Sequence, residues 1–117
     1  MVRSVLVIDD HAGFRDGARM LLEQGPFSVV GEAGDAASGL LAAKQLRPDV
    51  VLLDIVLPDS DGFAVVDALL DVPIPPVVVL MSTRDASDYG DRVAHSAAKG
   101  FIQKARLSVP GLDEILG

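Results

Sequence analysis

Six side chains have the types and the placement for joint chemistry: the adjacent acids Asp9 and Asp10, the acid Asp54, the hydroxyl pair Ser82 and Thr83, and Lys104. Each stands at the end of a short apolar run, Val5 to Ile8, Val50 to Leu53, Val77 to Met81 and Gly100 to Gln103 respectively. If those runs are neighbouring parallel strands, all six groups gather at one end of the sheet. Three carboxylates brought together repel one another and raise one another's pKa unless a cation joins them, so the set predicts a hard divalent ion. Mg²⁺ is the favoured choice, because it takes one or two carboxylates and bridges to phosphate oxygens, while zinc-type His and Cys clusters are missing. With a lysine and a hydroxyl beside the ion, the constellation suits phosphoryl transfer, in which positioning and electrostatics carry most of the catalysis.

The elements that must position these groups follow from hydrophobic pattern. The four runs and a fifth, Ser28 to Gly31 with its flanks, are continuous rather than alternating, as expected of parallel strands covered on both faces. Between them lie helical patterns. Phe14, Ala18, Leu21 and Leu22 form one stripe, stopped at Gly25-Pro26. Asp35 is placed to cap a second helix carrying Leu40, Leu41 and Ala43, which must end before Pro48. Asp61-Gly62 precedes Phe63, Val66 and Leu70, Asp85 precedes Tyr89, Val93 and Ala97, and Ser108 precedes Leu112, Ile115 and Leu116. The expectation is an α/β fold: a (βα)₅, doubly wound, five-stranded parallel sheet with right-handed crossovers and its site at the carboxyl ends of the strands.

Several motifs in register make the chain resemble response-regulator receiver domains over nearly its whole length. Val5-Leu6-Val7-Ile8-Asp9-Asp10-His11 looks like the family's first strand and acidic pair, and Asp54 follows Asp10 by 44 residues, the usual phosphoacceptor spacing. Leu53-Asp54-Ile55-Val56-Leu57-Pro58-Asp59-Ser60-Asp61-Gly62 resembles the loop after strand three, Ser82 precedes Lys104 by 22 residues, and Gly100-Phe101 falls where a Gly-aromatic pair is expected. The resemblance implies a flavodoxin-like receiver fold with strand order 2-1-3-4-5 and one receiver domain over residues 1–117, with no output domain visible. It implies that Asp54 is the phosphoacceptor and that Asp10, Asp54 and the Val56 backbone carbonyl bind Mg²⁺, with Asp9 acting through a metal-bound water. Lys104, Ser82 and the Thr83 N–H would meet the phosphoryl group, and Ser82 and Phe101 would form the switch. Val56 and Arg84 flank the path of the hydrolytic water, so an apolar Val56 and a long Arg84 imply slow autodephosphorylation. The phosphoryl donor would be the phosphohistidine of a sensor histidine kinase or phosphotransfer protein, or a small acyl phosphate. A partner, or a second copy in a homodimer, would meet the face made by helix four, strand five and helix five. One departure stands out: Ala105, not proline, follows Lys104, so a trans bond is expected there.

Composition agrees. A net charge of −7 without a Lys/Arg cluster argues against direct nucleic-acid binding. The absence of cysteine excludes disulfides, and the N-terminal apolar run is too short for a membrane span and lacks a signal-peptide pattern, so the expected location is the cytoplasm. Taken alone, Asp9-Asp10 would be a helix cap and a solvated acid, Asp59 and Asp61 read as turn formers rather than ligands, and His11 and His95 read as solvent-facing. Tyr89 and Val93 read as core positions.

Two other functions use similar groups. An aspartyl-nucleophile, Mg²⁺-dependent phosphohydrolase carries its nucleophile on the first strand in an Asp-x-Asp arrangement, whereas these first-strand acids are adjacent. A pseudo-receiver that binds partners without phosphorylation would not need the intact set of acids, hydroxyl and lysine. The regulator reading makes the chain no enzyme beyond its own phosphorylation and dephosphorylation.

Overall fold

The computed structural model describes residues 1–117. Five parallel strands, β1 (Arg3–Ile8), β2 (Phe27–Ala33), β3 (Val50–Asp54), β4 (Val77–Ser82) and β5 (Gly100–Gln103), lie in the order β2-β1-β3-β4-β5. Helices α1 (Ala12–Leu22), α2 (Ala36–Leu46), α3 (Gly62–Leu70), α4 (Arg92–His95) and α5 (Val109–Leu116) complete the expected α/β architecture.

The continuous apolar runs are explained by two cores, one on each face of the sheet. Leu6, Ile8, Val51, Leu53, Val78 and Leu80 pack with Val65, Val66 and Leu69 of α3. The alternate residues, Val5, Val7, Val50, Leu52, Val79 and Met81, pack with Leu22 of α1 and Leu112 of α5. All of β3, Val5 to Ile8 of β1 and Val78 to Ser82 of β4 are therefore buried, and each fully buried Val or Leu contributes about 1.5–3 kcal/mol of transfer free energy.

Local chemistry sets the element boundaries. The Asp35 carboxylate accepts the Ser38 N–H (2.8 Å), and α2 ends where Arg47 turns left-handed (φ 46°) just before Pro48. Asp61 caps α3 through the Phe63 N–H (2.8 Å), and Ser108 caps α5 through the Gly111 N–H (3.0 Å). Asp59, read as a simple turn former, instead reaches across to α2, where its two oxygens accept the Ala36 and Ala37 N–H groups at 2.8 and 3.1 Å. The loop after β3 is thereby tied to the start of α2.

The fourth helix departs from the pattern. Asp85 and Asp88 close a capping box on a 3₁₀ turn, Ala86–Tyr89, and the chain then breaks at Gly90 (φ 63°) before the four-residue α4 begins. Ser87, Asp88, Gly90 and Asp91 are weak helix formers whose side chains or backbone freedom favour turns, and they outweigh the apolar spacing of Tyr89, Val93 and Ala97. Arg92 of this short helix pairs with Asp61 at 2.7 Å and lies over the Phe63 ring at 4.3 Å, fastening α4 to the first turn of α3.

Candidate functional site

The sheet order places β1 and β3 side by side at the reversal of strand order, the place where open parallel sheets bind their ligands beyond the strand ends. β1 delivers Asp9, whose side chain is fully buried, and Asp10 beside it, partly exposed. The Asp9 Oδ1 accepts the His11 N–H at 2.8 Å, and the Asp9 carbonyl accepts Arg15 Nη1 at 2.6 Å. β3 delivers Asp54, nearly as deep, with Oδ1 accepting the Val56 N–H at 3.0 Å and Oδ2 accepting Lys104 Nζ at 2.8 Å. Lys104 arrives from the end of β5, opens the 3₁₀ turn Lys104–Arg106 through trans peptide bonds, and rests its ammonium 4.9 Å from the Phe14 ring centroid.

The same ammonium touches Asp9 Oδ2, an oxygen that makes no hydrogen bond of ordinary geometry. One lysine thus serves two buried carboxylates, and Asp10 adds a third. Burial pushes the Asp54 carboxyl above its ordinary value, outweighing the Lys104 and Val56 hydrogen bonds, and the Asp9 charge pushes the same way. For Lys104, burial pulls downward, but hydrogen bonds and charge from Asp54 and Asp9 outweigh it and lift the ammonium above the ordinary lysine value. Three carboxylates against one ammonium leave two negative charges, which is what a divalent cation neutralises. The oxygen donors of Asp9, Asp10 and Asp54 and a ring nitrogen of His11 all lie within 4.8 Å of one another. A donor set of carboxylate oxygens that share a single lysine fits a hard ion such as Mg²⁺.

The remaining sequence-selected residues lie around this centre. Ser82 ends β4, is buried, and its Oγ shares a 2.6 Å hydrogen bond with the Tyr89 hydroxyl while accepting the Arg84 N–H at 3.1 Å. Thr83 is exposed, and its carbonyl accepts Gln103 Nε2 at 3.2 Å. Val56 and Arg84 are exposed at the rim. Phe101 pairs in register with Leu80 and packs, half-buried, against the α2/α3 core together with Tyr89 and Val93.

Two participants escaped the sequence reading. Tyr89, taken as a core position, holds the Ser82 hydroxyl, and the break at Gly90 hid how the chain turns it there. His11, taken as solvent-facing, is 69% exposed, yet its Nδ1 lies 3.0 Å from Asp10 Oδ1 and 3.2 Å from Asp9 Oδ1. Its place directly after the acidic pair, at the N-cap of α1, was the available signal.

Comparison with known proteins gives consistent neighbours. The family model for the response regulator receiver domain matches residues 5–109. The nitrate/nitrite response regulator protein NarP of Escherichia coli is 36% identical over 101 residues, which cover 86% of this chain and 47% of that protein. A protein-glutamate methylesterase/protein-glutamine glutaminase of Lawsonia intracellularis is 34% identical over 102 residues, covering 86% of this chain and 29% of its own length. The signal receiver domain of NarL from Mycobacterium tuberculosis superposes with a TM-score of 0.87 at 36% identity, covering 99% of this chain and 98% of that one. The chain spans about half the length, or less, of the curated relatives it matches.

Proposed function

Because this chain belongs to the response regulator receiver domain family, we propose that it is a phosphorylation switch of a two-component phosphorelay, with Asp54 as the phosphoacceptor. The observation that carries this reading is the state of Asp54: a buried carboxylate at the end of β3, fixed by a backbone N–H and a lysine, facing two further acids. In the transfer, an Asp54 oxygen forms the new P–O bond as the P–N bond of a donor phosphohistidine breaks, the electron pair leaving with the histidine nitrogen. Lys104, already paired with Asp54, follows the charge onto the phosphoryl oxygens, and the Thr83 N–H and Ser82 hydroxyl complete their coordination. Asp10, Asp54 and the Val56 carbonyl would hold Mg²⁺ with Asp9 beside it, and the ion would supply charge neutralisation at the phosphoryl group.

The read-out follows from the bond that Ser82 must give up. Drawn to the phosphoryl oxygens, which bring about −1.5 to −2 charges, Ser82 releases Tyr89, and Phe101 turns into the space beside β4. The α4–β5–α5 face changes with them and meets a partner or a second copy. The donor is a cytoplasmic sensor histidine kinase or histidine phosphotransfer protein, and the chain's own catalysis is confined to its phosphorylation and dephosphorylation. At the rim, the apolar Val56 cannot orient a water and the long Arg84 covers the phosphoryl group, which keeps the acylphosphate long-lived.

Incubation with acetyl phosphate followed by mass spectrometry tests the reading. A Mg²⁺-dependent gain of one phosphoryl group on Asp54, absent from Asp54→Asn, is expected. A folded protein that stays unlabelled, or full labelling of the Asp54→Asn variant, would reject it.

A further inference from the structure

We propose that His11 is a metal ligand at this site, so that the pocket also takes late first-row divalent ions of the Ni²⁺ class through His11 Nδ1 together with Asp10 and Asp54. The inference rests on the reading of the acidic pocket as a divalent-ion site and extends it to the identity of the ion. His11 Nδ1 stands 3.0 Å from Asp10 Oδ1 and 3.2 Å from Asp9 Oδ1, within the same 4.8 Å set that contains the Asp54 oxygen. The backbone holds it there: the His11 N–H is bonded to Asp9, and the residue caps α1 without using its side chain for the cap. The ring nitrogen nearest the acids is therefore left to the pocket.

Chemistry decides which ion benefits. Facing two carboxylate oxygens, Nδ1 must carry the ring proton when no ion is present, since two acceptors cannot bond without a hydrogen between them. When a metal arrives, that proton moves to Nε2, and a ring that is 69% exposed has water to receive the Nε2–H. Ligand exchange thus leaves no buried polar group unpaired. Mg²⁺ gains little from imidazole and keeps its waters, whereas Ni²⁺ and its neighbours bind imidazole strongly. Tighter Ni²⁺ than Mg²⁺ binding would follow from the general order of affinities even without His11. The diagnostic quantity is the selectivity lost when the ring is removed.

Calorimetric titrations of Mg²⁺ alone and Ni²⁺ alone into wild type, His11→Asn and His95→Asn test this, with amide NMR locating each ion by the Ile55 and Val56 signals. Even an outer partner of a metal ligand is worth about 10–100-fold in affinity, so His11→Asn is expected to weaken Ni²⁺ at least about tenfold and leave Mg²⁺ nearly unchanged. Co²⁺ should give hyperfine-shifted imidazole resonances in wild type that vanish in His11→Asn, a readout that needs no phosphorylation. Equal losses for both ions, or a Ni²⁺ loss confined to His95→Asn, would overturn the ligand role while leaving the Mg²⁺ reading intact. If neither ion moves the Val56 amide, both readings fall together.

Discussion

Asp54 is the residue on which the opposing forces of this protein meet. As the proposed phosphoacceptor it would need a charged carboxylate to act as nucleophile, but burial, with the Asp9 charge beside it, works against that charge. A carboxyl raised in the folded state above its unfolded value favours folding only while it is protonated, and that contribution is lost as pH rises through the folded value. In metal-free protein at neutral pH, Asp54→Asn should thus be more stable than wild type, since the amide keeps the shape without the charge. The difference should shrink as pH falls through the raised Asp54 value and vanish below the ordinary 3.8. Urea unfolding in chelator at stepped pH measures it, and a difference that does not change with pH would contradict the electrostatic account. Lys104 shows the opposite sign: its raised value adds stability throughout the neutral range, lost only above 10.5. Asp9, fully buried with one oxygen against that same ammonium, leaves the lysine unable to satisfy either acid alone.

Among the elements, the turn from β3 into α3 fixes the site most tightly. Gly62 packs so close to the strand end that a Cβ there would stand 2.6 Å from both the Asp54 carbonyl oxygen and the Ile55 Cα, which are backbone atoms and cannot swing aside. Gly62→Ala should therefore cost about 2 kcal/mol as an overpacked substitution and slow labelling of Asp54 by shifting the strand end. Chemical denaturation and acetyl phosphate kinetics on the same sample check both effects, and wild-type values in each would refute the close approach. The sequence made this region readable because Asp-Gly after an apolar strand is a local signal. For the same reason the strands, the caps Asp35, Asp61 and Ser108, and the gathering of Asp9, Asp10, Asp54 and Lys104 were all legible. The rest depended on contacts between distant segments. Asp59 looks like a turn residue until α2 is seen 22 residues upstream with its N–H groups open, and the apolar spacing of Tyr89 and Val93 gives no warning that Gly90 breaks the helix between them. His11 could not be told from a surface histidine until Asp10 turned back toward it.

At the scale of the whole molecule, the sheet is clamped between two separate cores, and the charged crevice sits where neither core reaches. Burial of the two cores favours folding, while the carboxylates gathered at the strand ends oppose it unless a cation joins them. An ion that binds only the native pocket should raise the unfolding free energy by about 2.7 kcal/mol at one hundred times its dissociation constant. Asp10→Ala should abolish most of that gain, as thermal or urea unfolding with and without Mg²⁺ would show; an undiminished gain would move the ion elsewhere. The composition adds a practical consequence to the Ser82–Tyr89 hydrogen bond at 2.6 Å. The chain has one tyrosine and no tryptophan, so its near-ultraviolet absorbance and intrinsic emission are dominated by the ring whose hydroxyl is bonded to the end of β4. A phenol that exchanges a buried serine for water changes both its absorption edge and its quantum yield. If Ser82 leaves Tyr89 as proposed, that ring is a built-in optical probe of the change, readable in stopped flow without any label.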